Sequence, residues 1–149
     1  MANFTKYTVG LQNVGSYQVS GKPWVTGSIN CRNDASPIAQ LDFGNVTSWV
    51  MVSNMDSANN SLRIGFSSGG VAGVASQAPN NGNRFIEVGP SSGSGPVRLD
   101  LKLTQLFLSG SDNVSVVAGL TGIASGNIDF QINNSPAGRN WSGSAGIND

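Results

Sequence analysis

Apolar residues in this chain come in short runs that alternate with polar ones and are cut off by Gly, Ser and Asn. Helical spacing is missing almost everywhere. That restricts the chain to strands, because a period of two puts one apolar face on a pleated sheet and no stripe on a helix. The clearest run is Val97-Arg98-Leu99-Asp100-Leu101-Lys102-Leu103-Thr104, apolar at odd positions and polar at even ones. The apolar phase then moves to Leu106 and Leu108. A one-residue slip turns the wrong face inward, so a bulge is expected near Thr104-Gln105, with two separate short strands as the alternative.

Other strands follow the same logic. Val46-Thr47-Ser48-Trp49-Val50-Met51-Val52 is apolar on both faces and reads as a central strand with Trp49 in the core. Leu62-Arg63-Ile64-Gly65-Phe66 and Ile128-Asp129-Phe130-Gln131-Ile132 alternate, while residues 38–43, 84–88 and 114–120 are shorter or mixed strands. Tyr17-Gln18-Val19 and Trp24-Val25-Thr26 flank Ser20-Gly21-Lys22-Pro23, which has turn chemistry. Ser109-Gly110-Ser111-Asp112-Asn113 is expected to fold the 99–108 strand back onto residues 114–120 as a hairpin. Leu99, Leu101, Leu103, Ile64, Phe66, Ile128 and Phe130 are expected to share one core, with Arg98, Asp100 and Lys102 outside it. About eight to nine strands at this spacing predict an all-β fold, an antiparallel β-sandwich of jelly-roll type, in a single domain over residues 1–149. A chain of this length buries roughly 68–70% of its unfolded surface, enough for a core without disulfides.

The reagents of enzyme chemistry are scarce. The chain has no histidine, a lone cysteine, Cys31, and a lone glutamate, Glu87. Proton shuttling near neutral pH falls most readily to histidine, and no histidine is present to activate the thiol. Cys31 therefore reads as a small, partly buried side chain at a strand end. Paired carboxylates are the remaining hydrolytic route. Asp100 and Asp129 fall on the polar faces of their strands, Asp56 and Asp112 in loops, and all four read as solvated. Zinc has no ligand set here, and Asp112 with Asn113 reads as turn chemistry rather than a calcium loop. The glycine-rich stretches lack the Lys-Ser/Thr ending of a phosphate loop. The expectation is a non-enzymatic protein with no cofactor and no metal.

Eight Lys and Arg balance eight Asp and Glu, for a net charge of zero. With the cations scattered singly, no basic footprint exists for nucleic acid. Zero charge also removes the repulsion that keeps copies apart. Met1-Ala2-Asn3-Phe4-Thr5-Lys6 lacks the apolar core of a signal peptide, and no apolar run approaches membrane length. The expectation is cytoplasmic synthesis without a signal peptide and no membrane partner. Contacts are left to aromatics near turns and ends: Phe4, Tyr7, Tyr17, Trp24 and Trp141. An N-terminal arm (1–11) and a C-terminal tail (134–149) are expected to reach neighbouring subunits, covering open edges such as that of the 97–108 strand.

One longer likeness stands out. Asn13-Val14-Gly15-Ser16-Tyr17-Gln18-Val19-Ser20-Gly21-Lys22-Pro23 resembles a stretch near the start of small β-rich virion structural proteins of marine phages. The later order is similar as well: Val50 to Asn54, then Leu62-Arg63-Ile64-Gly65-Phe66-Ser67, Arg84-Phe85, Leu99-Asp100-Leu101-Lys102, and Ala118-Gly119-Leu120-Thr121-Gly122-Ile123. The likeness spans most of residues 7–124, is one of strand and turn texture, and transfers no functional residue. It implies a virion component made in the host cytoplasm, either a capsid decoration protein or another shell or tail element. Its partners would be copies of itself and other virion proteins. The alternative is a carbohydrate-binding or receptor-binding sandwich module, with Tyr17, Trp24 and Trp141 stacking on surface glycans.

Overall fold

The computed structural model describes residues 22–33, 35–72 and 84–125. Eight strands run in the order β1 (Pro23–Ile29), β2 (Ile38–Asp42), β3 (Asn45–Asn54), β4 (Leu62–Gly65), β5 (Phe85–Val88), β6 (Val97–Leu99), β7 (Gln105–Ser109) and β8 (Val114–Ala124). A short helix, α1 (Ser68–Ala72), follows β4. The strands form two antiparallel four-stranded sheets, ordered β1-β8-β3-β6 and β2-β7-β4-β5. The first strand pairs with the eighth, the second with the seventh, the third with the sixth and the fourth with the fifth. That is a long hairpin bent over on itself, and the lateral pairs β8·β3 and β7·β4 close each half into a sheet. This connectivity is the eight-stranded jelly roll.

Alternation explains the packing. In β8, Val114, Val116, Ala118 and Leu120 point inward, and in β3 Val50 and Val52 do the same. They meet Leu62, Ile64, Val88, Leu106 and Leu108 from the other sheet in one core. As a central strand, β3 lies between β8 and β6, as its two-faced apolar pattern requires.

Over residues 97–108 the alternative of two separate short strands holds, in place of one bulged strand. They form two strands in opposite sheets, β6 and β7, joined by residues 100–104. The cause is Thr47, which is buried in β3. Its Oγ1 donates to the Leu101 carbonyl at 2.7 Å and accepts from the Leu103 N–H at 2.9 Å. The Thr47 N–H also donates to the Leu103 carbonyl at 2.9 Å. A threonine side chain thus takes the place of a ladder partner and lets the chain cross between sheets. Leu103 stays buried at 5% exposure, whereas Leu101 is turned out to 41%. Leu101 is therefore not a core residue, and Lys102 is half-buried rather than outside. Leu99 and Phe66 pack against the core from its margin. Ile128 and Phe130 lie outside the described residues.

The expected hairpin between β7 and β8 is likewise absent, since these strands belong to different sheets. Gly110, at φ 98°, turns the chain across the sandwich instead. A Cβ there would lie 2.7 Å from the Ser61 carbonyl oxygen, so both conformation and space demand glycine.

Candidate functional site

Two regions concentrate polar or exposed side chains. The first is the end of the sandwich where residues 30–33, 55–61, 89–96 and 110–113 come together. Asn54, at the last position of β3, is buried there. Its Nδ2 donates to the carbonyls of Asn60 at 2.9 Å and Gly89 at 3.0 Å. Its Oδ1 accepts from the Ser111 hydroxyl at 2.8 Å. Asp56, only 2% exposed, accepts from the backbone N–H groups of Ala58 at 2.6 Å and Asp112 at 2.9 Å, and from the Asn60 amide at 3.1 Å.

Asp56 is therefore not the solvated loop residue expected from the sequence. The Asp112 N–H, then the Asn60 side chain, hold its carboxyl below the usual aspartate range. Its oxygens are already engaged by donors from two loops, which suits it to bracing them and leaves it poorly placed as an acid or base. Cys31, fully buried, donates its thiol to the Ser111 carbonyl at 3.2 Å, and burial pushes the thiol pKa up. A thiol so held is disarmed as a nucleophile.

Asp100 is on the surface as expected, ion-paired to Arg98 at 3.0 Å. Asp112 faces Arg32 at 3.5 Å, also exposed. Asp129 lies outside the described residues. Among the described residues, no three His, Cys, Asp or Glu side chains cluster so as to hold a metal ion. Likewise no described helix is long and apolar enough to cross a membrane. A cleft of about 610 Å³ near the start of β1 is lined by Lys22, Pro23, Asn45, Leu120, Thr121 and Gly122. Of these, Lys22 alone is ionisable, so among the described residues the cleft wall offers no acid–base pair.

The second region is the outer face of the β1-β8-β3-β6 sheet. Register aligns Val25, Val117, Met51 and Arg98 in one row across its four strands. In the next row Pro23 and Trp49 flank Gly119. Val25 is 69% exposed, and Trp49, Met51 and Val117 are partly so. Trp49 therefore lies outside the core, contrary to expectation. Its indole lies over Gly119, where a Cβ would come within 2.8 Å of Cε2. The Arg98 guanidinium sits 5.0 Å from the centre of the Trp49 rings. No family model, curated protein or solved structure matches this chain. The face is thus read from its own geometry.

Of the aromatics proposed as contacts, Trp24 is the one within the described residues. It packs toward the core and meets Phe43 edge-on, centroids 4.9 Å apart at 78°. Trp24 is thus half-buried at the core margin. Phe4, Tyr7, Tyr17 and Trp141, like the 1–11 arm and the 134–149 tail, lie outside the described residues. Sequence reasoning passed over Val25, Met51 and Val117. The signal available was that β1, β3 and β8 each carry apolar residues on both faces.

The outer face of the other sheet differs. There α1 lies across the strands, with its buried Val71 against Gly65, and Phe107 is 8% exposed beneath this cover. Arg63 lies over the Phe85 ring at 4.7 Å.

Proposed function

We propose that this chain is a non-enzymatic structural protein of a virion, made in the host cytoplasm, that self-assembles or docks on a viral shell as a capsid decoration, capsid or tail component. The observation that carries the reading is the jelly-roll connectivity, a plan used by viral capsid domains. The likeness of residues 7–124 to small phage virion proteins points the same way. Lectin domains and cupins share the plan, so the fold alone does not choose among them.

The state of the two described tryptophans weighs against the glycan-binding alternative. Trp24 is engaged by Phe43 and Trp49 is covered by Arg98, so neither presents a bare ring to a sugar. Mechanistically, the sandwich supplies a rigid body and its faces and ends supply contacts.

The test is size-exclusion chromatography with light scattering and electron microscopy on the full chain, alongside a glycan array. The expected result is a defined oligomer, or attachment to virus particles, without any sugar. A monomer that binds glycans and ignores particles would overturn the reading, as would a hydrolytic activity abolished by replacing Asp100 or Glu87.

A further inference from the structure

We propose that Ser111 and Asp112 form a flap that is closed over Cys31 at neutral pH and released by acid while the sandwich stays folded, a property independent of the assembly reading above. The flap lies in the connection from β7 to β8, between two fixed ends. On one side the Gly110 N–H donates to the Cys31 carbonyl at 2.9 Å, and φ 98° at Gly110 puts the bend at a residue without a side chain. On the other, the Met55 N–H donates to the Asn113 carbonyl at 2.9 Å, one step beyond the pairing of Asn54 with Val114. Cys31 is fully buried beneath. The Ser111 carbonyl accepts both its N–H, at 2.9 Å, and its thiol, at 3.2 Å.

Among the described residues, three side-chain ties hold the flap down, and two of them need a carboxylate. The Ser111 hydroxyl donates to Asn54 Oδ1 at 2.8 Å, a bond without charge. The Asp112 N–H donates to Asp56 Oδ2 at 2.9 Å. The Asp112 carboxylate faces Arg32 Nη1 at 3.5 Å. Protonation acts on the last two together. On Asp56 it removes the charge that strengthens the bond and adds an O–H to a carboxyl whose two oxygens already face N–H donors, Ala58 on Oδ1 and Asp112 with Asn60 on Oδ2. On Asp112 it ends the ion pair. The strand ladders are backbone hydrogen bonds, which acid leaves intact.

Among the described residues, the ionisable groups around Asp56 are Arg32 after β1, Asp112 before β8 and the Cys31 thiol; residues 57–61 and 89–96 carry none. The Asp112 N–H, the Asn60 amide and, more weakly, Arg32 hold the Asp56 carboxyl below the usual aspartate range. The tie is therefore present above that lowered value and lost as pH falls through it. The flap stays shut through the neutral range and opens on the acid side.

Cys31 is the lone cysteine, so a thiol reagent reads the flap directly. The experiment labels the full chain with a dipyridyl disulfide, which reacts with thiols in acid as well as at neutral pH. Each rate is divided by that of the urea-unfolded chain at the same pH, and far-UV circular dichroism is followed alongside. Labelling of the parent should be slow at neutral pH and quicken about tenfold in acid, the effect of one lost buried hydrogen bond, before circular dichroism changes. Asp56→Asn turns an amide N–H toward one of the donors, so it should label about tenfold faster at neutral pH and lose most of the acid response. Ser111→Ala should also label faster at neutral pH yet keep the acid response, because the tie it removes is uncharged. Asp100→Asn, on the surface beside Arg98, should match the parent. If Asp56→Asn is poorly folded, Asp112→Asn serves, since it removes the ion pair and should blunt the acid response. Labelling that quickens only as circular dichroism is lost would overturn the inference, because the thiol is then reached by global unfolding. Fast labelling of the folded parent at neutral pH overturns it as well, as does an acid response that survives unchanged in both Asp56→Asn and Asp112→Asn.

Discussion

Trp24 stands across from Ala118 and Trp49 across from Gly119, so adjacent residues of β8 send two indoles to opposite faces of one sheet. Each β8 residue suits its neighbour. Ala118 is small enough to leave room in the core, and Gly119 lets an indole lie against the backbone.

Gly119→Ala tests that fit. The added methyl collides with the Trp49 indole, and overpacking of this kind costs about 1–3 kcal/mol. The variant should melt earlier, with red-shifted tryptophan emission as the indole is pushed outward. Calorimetry and fluorescence check both; an unchanged melt would mean that the indole moves aside freely.

Leu108→Ala and Leu101→Ala should separate cleanly. Leu108 is fully buried in the core and its truncation should cost about 2–5 kcal/mol. Leu101 is exposed at 41%, and its truncation should fall within about 0.5 kcal/mol of the parent. Urea titrations of the two variants give the comparison.

These two leucines also mark how far the sequence is legible. The apolar pattern placed strands at all eight positions, with two of them merged into one, because it reports which residues share a face. It says nothing about which strand lies alongside. Hence Val97–Leu99 and Gln105–Ser109 read as one strand, although a threonine some fifty residues earlier separates them. Burial of Asp56 was illegible for the same reason, since its donors come from positions 58, 60 and 112. Trp49 was misplaced because a strand apolar on both faces reads as buried on both.

Thr47→Val should uncouple the crossing segment. The valine keeps the volume but leaves the Leu103 N–H and Leu101 carbonyl without the hydroxyl, at a cost of about 1–3 kcal/mol. Hydrogen exchange at the Leu103 amide should quicken, and Thr47→Ser should restore much of the protection.

Asp56 makes the loop end acid-sensitive. Its folded-state pKa is depressed, so its contribution to stability is fully present above the unfolded aspartate value of about 3.9 and is lost as pH falls through the lower folded value. Denaturant midpoints measured from neutral pH downward should drop below about pH 4 in the parent. The drop should be shallower in Asp56→Asn, whose side chain does not titrate. Equal acid limbs would assign the sensitivity to other carboxylates.

The bent-hairpin connectivity governs how the chain can reach its fold. β8 lies between β1 and β3, so until residues 114–124 arrive these two strands have no common neighbour. Pairing Pro23 with Gly119 closes nearly the whole described length of chain in a single loop. Contacts so distant in sequence are entropically expensive to form first and make for slow folding. A nascent chain halted before residue 114 would hold the inner faces of β1 and β3 without their shared partner, and would be a target for chaperones or for aggregation. Completion of the sandwich is therefore tied to synthesis of its last described strand.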